Sequence, residues 1–399
     1  MAASRWAIAA AWCVIVLAGA GATHAQGQAP AFETVRIAFL AQFAERPPKL
    51  SNLDQPPEDD GVRGGRLAIM DNNTTGRFMK QRFELREVIV PPGEDAVAAF
   101  GRLLADGYRH VIVAVPADVL LRMADLPAAA EAQLYNVGAR DDRLRNEDCR
   151  KNVLHLVPSR AMLADALAQY LNLKRWRDWF LVVGRRAGDR LFAAAIRRAA
   201  RRFGGKIVAE KEWTFGPDAR RTAQAEVPVF TQDVDYDVLI VADEIGEFGE
   251  YLSYRTWEPK LVAGTQGLTP TWWHRTHEQW GAAQLQSRFL KMAGRRMTAL
   301  DYGVWAAVRS IGEAATRTRS AAFGALVGYM HGPAFVLAGF KGRKLTFRDW
   351  DGQLRQPILL AAPKALVSVS PQPGFLHQSS TLDTLGYDRP ETKCRLESR

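Results

Sequence analysis

Four carboxylates, Asp243, Glu244, Glu247 and Glu250, begin where the apolar run DVLIVA at 237–242 ends. Two kinds of chemistry fit that placement. Acids in the first turn of a helix complement its positive end. Acids at the carboxyl edge of a strand in an open α/β sheet line the crevice where ligands bind. His274 and His277 of WWHRTH stand three apart, so on a helix they share a face and, with Glu278, offer metal ligands. The tryptophans beside them, Trp272, Trp273 and Trp280, equally fit an aromatic, amphipathic segment packed at the surface. Arg190, Arg197, Arg198, Arg201 and Arg202 fall opposite Phe192, Ile196, Ala199 and Phe203 at about 100° per residue. That face is either an anion or membrane patch or a solvated helix exterior. No GxxxxGK[ST], no GxGxxG directly after a strand and no GxSxG occurs. This argues against a P-loop, a dinucleotide site and an α/β-hydrolase elbow. GVRGG at 61–65 opens a helix, but a long loop separates it from the first strand.

The elements that would position these groups alternate regularly. Strands are expected at Val35–Leu40, Arg82–Val90, His110–Val115, Gln133–Val137 and Asn152–Val157, then at Trp179–Val183, Lys206–Trp213, Asp237–Ala242 and Lys260–Ala263. Helical periodicity runs over 61–72, from the Asp95 cap, from Ser159, over 189–203 and over 301–317. Strands alternating with helices mean βαβ units and parallel sheets. Two such series argue for two doubly wound lobes rather than one very wide sheet. Beyond Gly332 the short runs KLTFRDW, PILLAA and ALVSVS are expected to return between the lobes and finish a sheet.

The chain has 399 residues, 47% of them hydrophobic and 24% charged, the balance of a globular protein. Its charge of +10 raises nucleic acid, anionic membrane or an acidic ligand as partners. Arg5, the apolar stretch Trp6–Gly21 and Thr23-His24-Ala25 before Gln26 read as a cleavable secretory signal over 1–25, with an uncleaved N-terminal anchor as the alternative. No lipobox surrounds Cys13, and no later stretch approaches the ~20 apolar residues of a membrane span. Export to an oxidising compartment argues against nucleic acid. It leaves Cys149 and Cys394 as either one disulfide tying the tail to mid-chain or two thiols.

The order of elements resembles the type I periplasmic binding proteins, above all the Leu/Ile/Val-binding branch of ABC-transporter substrate-binding proteins. The resemblance rests on VRIAFL, GVRGGRLAIMDNN, LYNVGARDDRLR, HLVPSRAMLADALAQYL, LKRWRDWFLVVGRRAGDRLF and ALDYGVWAAVRSIGEAAT. RNEDCRKNVLHLVPSRAM and VSVSPQPGFLHQSSTLDTLGYDRPE look like the subgroup associated with pyrroloquinoline-quinone (PQQ)-dependent alcohol dehydrogenase systems. The implied fold is α/β, two Rossmann-like lobes joined by a multi-strand hinge. Residues 26–157 and 286–350 would build lobe 1 and 158–285 most of lobe 2, with 351–399 supplying hinge, lobe 2 completion and tail. The implied activity is non-enzymatic closure on a small molecule, with no cofactor. Implied partners are ABC membrane subunits or a periplasmic PQQ-dependent dehydrogenase system. An accessory or sensor protein with a degenerate pocket is the alternative, and an enzymatic reading would need Asp243, Glu244 or His274 gathered in one cleft.

Ligand positions carry over from the resemblance as Gln42 and Phe43 after the first strand, then Val115, Pro116 and Ala117, then Gly138, Ala139, Arg140 and Asp141. In the second lobe they are Arg186–Asp189, Asp243, Glu244 and Gln266. Pro116 and its apolar neighbours stand where amino-acid binders present hydroxyls, and Gln266 stands where an acid holds the ligand ammonium. Both departures imply a ligand other than a standard branched-chain amino acid. Arg140, Arg185 and Arg186 would suit an organic acid or quinone carboxylate gripped bidentately.

Overall fold

The β-branched apolar runs become two parallel sheets buried on both faces, as parallel sheets must be. In the computed structural model, residues 32–43, 57–214, 219–394 and 396 are described. The expected signal and most of the acidic, Pro-rich loop after the first strand lie outside them. The first sheet holds β1 (Glu33–Ala41), β2 (Gln81–Ile89), β3 (His110–Ala114), β4 (Gln133–Asn136) and β5 (Val153–His155) in the order β2-β1-β3-β4-β5. All neighbours are parallel. The second holds β6 (Asp178–Val183), β7 (Lys206–Glu212), β8 (Val238–Ala242) and β9 (Leu261–Gly264) in the order β7-β6-β8-β9, again parallel. The strand order reverses between β1 and β3 and between β6 and β8, the switch points at which doubly wound sheets open a crevice.

Helices cover both faces. On the first sheet, α1 (Val62–Met79) and α8 (Ala299–Thr318) enclose one core with Phe39, Tyr302 and Trp305. The opposite face is closed by α2 (Ala96–Ala105) and α3 (Ala117–Ala124), through Phe100, Leu103, Leu120 and Met123. On the second sheet, α4 (Arg160–Leu173) and α5 (Ala187–Phe203) bury Leu163, Leu167, Phe192 and Ile196. The far side meets α6 (Ala219–Thr231) through Ala223 and Val227. Two further helices, α7 (Ala282–Ala293) and α9 (Phe323–His331), add Leu285, Phe289 and Leu326 to the first core.

Local signals explain several boundaries. Asp95 caps α2 by accepting from the Val97 and Ala98 amides, and Ser159 caps α4 by accepting from Met162 N. GVRGG is not an anion cradle. A Cβ on Gly64 would stand 1.9 Å from the Asp301 carbonyl oxygen, so glycine is needed where α1 crosses α8. Asp301 then accepts from Gly61 N and Gly64 N while closing the capping box with Thr298.

The late strands differ from expectation. Leu337–Ala338, Lys344–Phe347 and Leu354–Arg355 (β11–β13) form a small antiparallel sheet on the first lobe. The bridge from His155 to Gln353 links it to the first sheet. Ile358–Ala362 and Ala365–Ser370 (β14, β15) pair with Thr269–Thr271 (β10) on the second lobe. The chain therefore crosses between lobes near 156–159, 272–281 and 356–357. Gln356 Nε2 donates to the Leu156 carbonyl at 2.6 Å, tying the first crossing to the third. The tail touches both lobes: Gly386 N donates to Asp165 on α4, and Cys394 is disulfide-bonded to Cys149 on the first lobe.

Two buried histidines each contribute an acid-sensitive part of the stability. Burial pushes His110 down to about 4, and burial together with Arg145 pushes His155 well below its usual value. The unfolded chain takes these protons near 6.5 and the folded chain does not. The stability supplied by the neutral rings is thus complete above pH 6.5 and lost as pH falls toward 4. For His110 this amounts to about 3 kcal/mol. Buried Asp165 and Asp351, both pushed up to about 6, act in the opposite sense over the same range, so the histidine is read by difference. Between pH 6.5 and 4 the urea midpoint of His110→Gln should lose less than that of the parent, and equal losses would contradict the assignment.

Candidate functional site

At the carboxyl edges of β1, β3 and β4 a cleft of about 820 Å³ opens between the lobes. Lobe 1 contributes Gln42, Phe43, Val115–Asp118, Val137–Asp141, Arg143 and the start of α8 at Thr298–Leu300. Arg160, Ala187, Gly188 and Leu191 come from α4 and α5, and Trp272 comes from a crossover. Of the residues singled out in the sequence, Gln42, Phe43, Pro116, Ala117, Ala139, Arg140 and Asp141 line it.

Their positions follow from local demands. Gln42 donates its amide to the Pro91 and Glu94 carbonyls, anchoring the loop after β2. Gly138 passes β3 so closely that a Cβ would lie 2.9 Å from Ala114 Cα. The turn that follows is wrapped around Asn136: its Oδ1 accepts from Gly138 N and Ala139 N, and its Nδ2 donates to the Ala139 carbonyl. Beneath the turn, the buried Arg145 guanidinium donates to the carbonyls of Ala139, Asp141 and Val157 and to Gln353 Oε1. One side chain thus joins the cleft wall to the first crossover and to Gln353 beside β13.

Glu244 is the electrostatic centre. It accepts from Arg160 Nε at 2.9 Å and Nη2 at 2.7 Å, a bidentate pair, and stands 3.2 Å from Arg140 Nη2. Arg160 Nη1 also donates to Asp141 Oδ2 at 2.8 Å. Arg140 and Asp141 belong to lobe 1, Arg160 and Glu244 to lobe 2, so the network spans the cleft. The Arg160 and Glu244 side chains are 8% and 7% exposed. Burial alone would raise the Glu244 carboxyl; Arg140 and Arg160 outweigh it and hold the group below its ordinary value.

The other second-lobe positions face elsewhere. Asp243 Oδ1 accepts from Gly246 N and Glu247 N, and its Oδ2 from Phe248 N and Gly249 N, so it organises the loop after β8. Asp189 caps α5 through Arg186 N and also accepts from Glu244 N, which positions the Glu244 backbone. Arg186 pairs with Glu247 on the exposed surface, and Arg185 donates to the Thr214 carbonyl. Gln266 is half-buried against Gly249, whose added Cβ would meet Gln266 Cγ at 2.5 Å.

His274 and His277 do not share a helix, because WWHRTH forms turns. His274 Nδ1 lies 2.7 Å from Thr276 Oγ1, and His277 Nε2 lies 2.8 Å from the Phe340 carbonyl oxygen. Among the described residues no group of three or more His, Cys, Asp or Glu side chains is placed to hold a metal. His274 lies in a separate depression with Arg295 and Pro363, away from Asp243 and Glu244. Nor is the α5 arginine face uniformly solvated: Arg198 and Arg202 both pair with the buried Asp165.

Sequence reasoning missed Arg160, Asn136, Arg145, Leu191 and Trp272. Arg160 directly follows a helix cap and Asn136 ends a strand, positions that a search for strand-edge polar groups reaches. Arg145 has no such signal.

Gly188 faces this network at close range: a Cβ there would stand 2.6 Å from Glu244 Oε2. Gly188→Ala should displace the carboxylate from Arg160 and lower stability by about 1–3 kcal/mol, read as a denaturation midpoint. A variant as stable as the parent would contradict the placement of Glu244.

No protein-family model matches the sequence, and no curated protein matches it. Solved structures do match the fold. A periplasmic binding protein from Burkholderia mallei is 16% identical, covers 91% of this chain and 99% of its own, and superposes with a TM-score of 0.65. The closed conformation of a leucine-, isoleucine-, valine-, threonine- and alanine-binding protein from Brucella ovis is 13% identical over 85% of this chain and 93% of its own, with a TM-score of 0.65. An ABC-transporter solute-binding protein from R. palustris in complex with benzoate is 11% identical over 90% and 99%, also at 0.65. The fold is thus that of the type I periplasmic binding proteins.

Proposed function

We propose that this chain is a solute-binding protein whose lobes close on a small molecule in the 820 Å³ cleft. The observation that carries the reading is the position of that cleft. It lies at the switch-point edge of the first sheet, faces the first turns of α4 and α5, and is flanked by crossovers suited to act as a hinge. Neighbours of the same fold bind leucine-type amino acids or benzoate, ligands of a size that such a cleft holds. In this reading the protein is exported to the periplasm by residues 1–25, and its closed form docks on ABC-transporter membrane subunits.

The finer part of the proposal places the system alongside PQQ-dependent alcohol oxidation. Its support is the resemblance of 145–162 and 367–391, which meet in the fold: a Cβ on Gly386 would lie 2.7 Å from Met162 Cγ. The ligand is other than a standard branched-chain amino acid, since Val115, Pro116 and Ala117 offer no hydroxyl and Gln266 lies outside the cleft wall.

Thermal denaturation against amino acids, organic acids, alcohols, aldehydes and PQQ tests the binding role. A true ligand at a hundred times its Kd should add about 2.7 kcal/mol. No stabilisation by any compound would overturn the transport reading in favour of an accessory or sensor role.

A further inference from the structure

The charges of the cleft are already matched to one another, and that narrows the ligand. We propose that the cleft takes an uncharged, largely apolar small molecule whose polarity is confined to a hydroxyl, carbonyl or amide group. The inference rests on the binding role above and deepens it.

Three independent features point the same way. First, each arginine of the wall is paired. Arg140 and Arg160 share Glu244, Arg160 also holds Asp141, and Arg143 pairs with Asp118 and Asp148. A ligand carboxylate would have to displace a protein carboxylate already in place, losing about as much as it gains. Second, the helix ends that converge here, ordinarily a ready anion site, each carry an acid of their own. Asp118 lies in the first turn of α3 and Asp189 in that of α5. Asp142 accepts from Ala161 N at the start of α4, and Asp301 closes the capping box of α8. Third, the amides of Gly138 and Ala139 are taken by Asn136, and Pro116 has no amide hydrogen to give.

An ammonium group fares no better: of the lining carboxylates, Asp118 and Asp141 are engaged by Arg143 and Arg160, and Asp60 accepts from Thr298 Oγ1. What the wall offers instead is apolar surface from Phe43, Pro116, Leu191, Trp272 and Leu300. Leu191 is 45% exposed on the lobe 2 side, where closure over a ligand would bury it. Trp272 spends its indole N–H on the Ala299 carbonyl at 2.7 Å, leaving its ring to pack.

The test is calorimetric titration of the full exported protein with sets matched in carbon skeleton and differing in the polar group: benzyl alcohol, benzamide, benzoate and benzylamine, then isoamyl alcohol, isovaleramide, isovalerate and isoamylamine. The uncharged members of at least one set should bind ten-fold or more tighter than their charged counterparts. Glu244→Gln, with its fold verified by circular dichroism, should gain affinity for the carboxylate member, because Arg140 and Arg160 lose their partner. A carboxylate or ammonium member binding the parent as tightly as the uncharged one would overturn this inference while leaving the binding role intact. No binding by any member, together with an empty cleft by native mass spectrometry of the purified protein, would overturn both.

Discussion

The cleft is built around a carboxylate that has been taken out of water. Glu244 sits at the end of a parallel strand, almost fully buried, and is stable there as an anion because Arg160 grips it with two parallel hydrogen bonds and Arg140 approaches from the other lobe. Removing one partner from such a group leaves a buried charge unmatched, at a cost of about 3–5 kcal/mol. The surrounding structure is accordingly specialised to hold it. Asp189 fixes the Glu244 backbone, Gly188 leaves room for the carboxylate, and Ser159 starts the helix that presents Arg160. Arg145 holds the turn carrying Arg140 and Asp141 from behind.

This arrangement accounts for the character of the wall. With cations, acids, helix ends and turn amides satisfied within the protein, the remaining lining is aromatic and aliphatic. Under the binding role proposed above, such a site would recognise shape and apolar area more than charge. The same ion pairs cross between lobes, so they bear on the free energy of closure as well as on the ligand. On the side of the tail, residues 383–394 anchor to Asp165 of one lobe and Cys149 of the other. The relative motion of the lobes is therefore constrained from two sides.

Much of the architecture was legible in the sequence because buried parallel strands announce themselves: HVIVA and VLIVA are wholly buried runs. The resemblance, rather than any pattern in the residues, pointed to Gln42, Pro116 and Arg140, which stand a few residues beyond the ends of β1, β3 and β4 and line the cleft. The second lobe was harder. Asp243 and Glu244 are adjacent and chemically alike, yet one fans its oxygens over four loop amides and the other meets arginines from both lobes. Only three-dimensional placement separates them. Arg140 suggested a grip for a carboxylate ligand because its own partner lies 104 residues away. WWHRTH suggested a helix by spacing, but turns and contacts to Thr276 and Phe340 won locally.

A double-mutant cycle between Arg140 and Glu244, using Arg140→Met and Glu244→Gln and read by urea denaturation at pH 7, addresses the interlobe network most directly. The account predicts a coupling of about 1–3 kcal/mol, as for residues within one charge network. Additivity within about 0.5 kcal/mol would contradict it, leaving Glu244 a group of its own lobe alone.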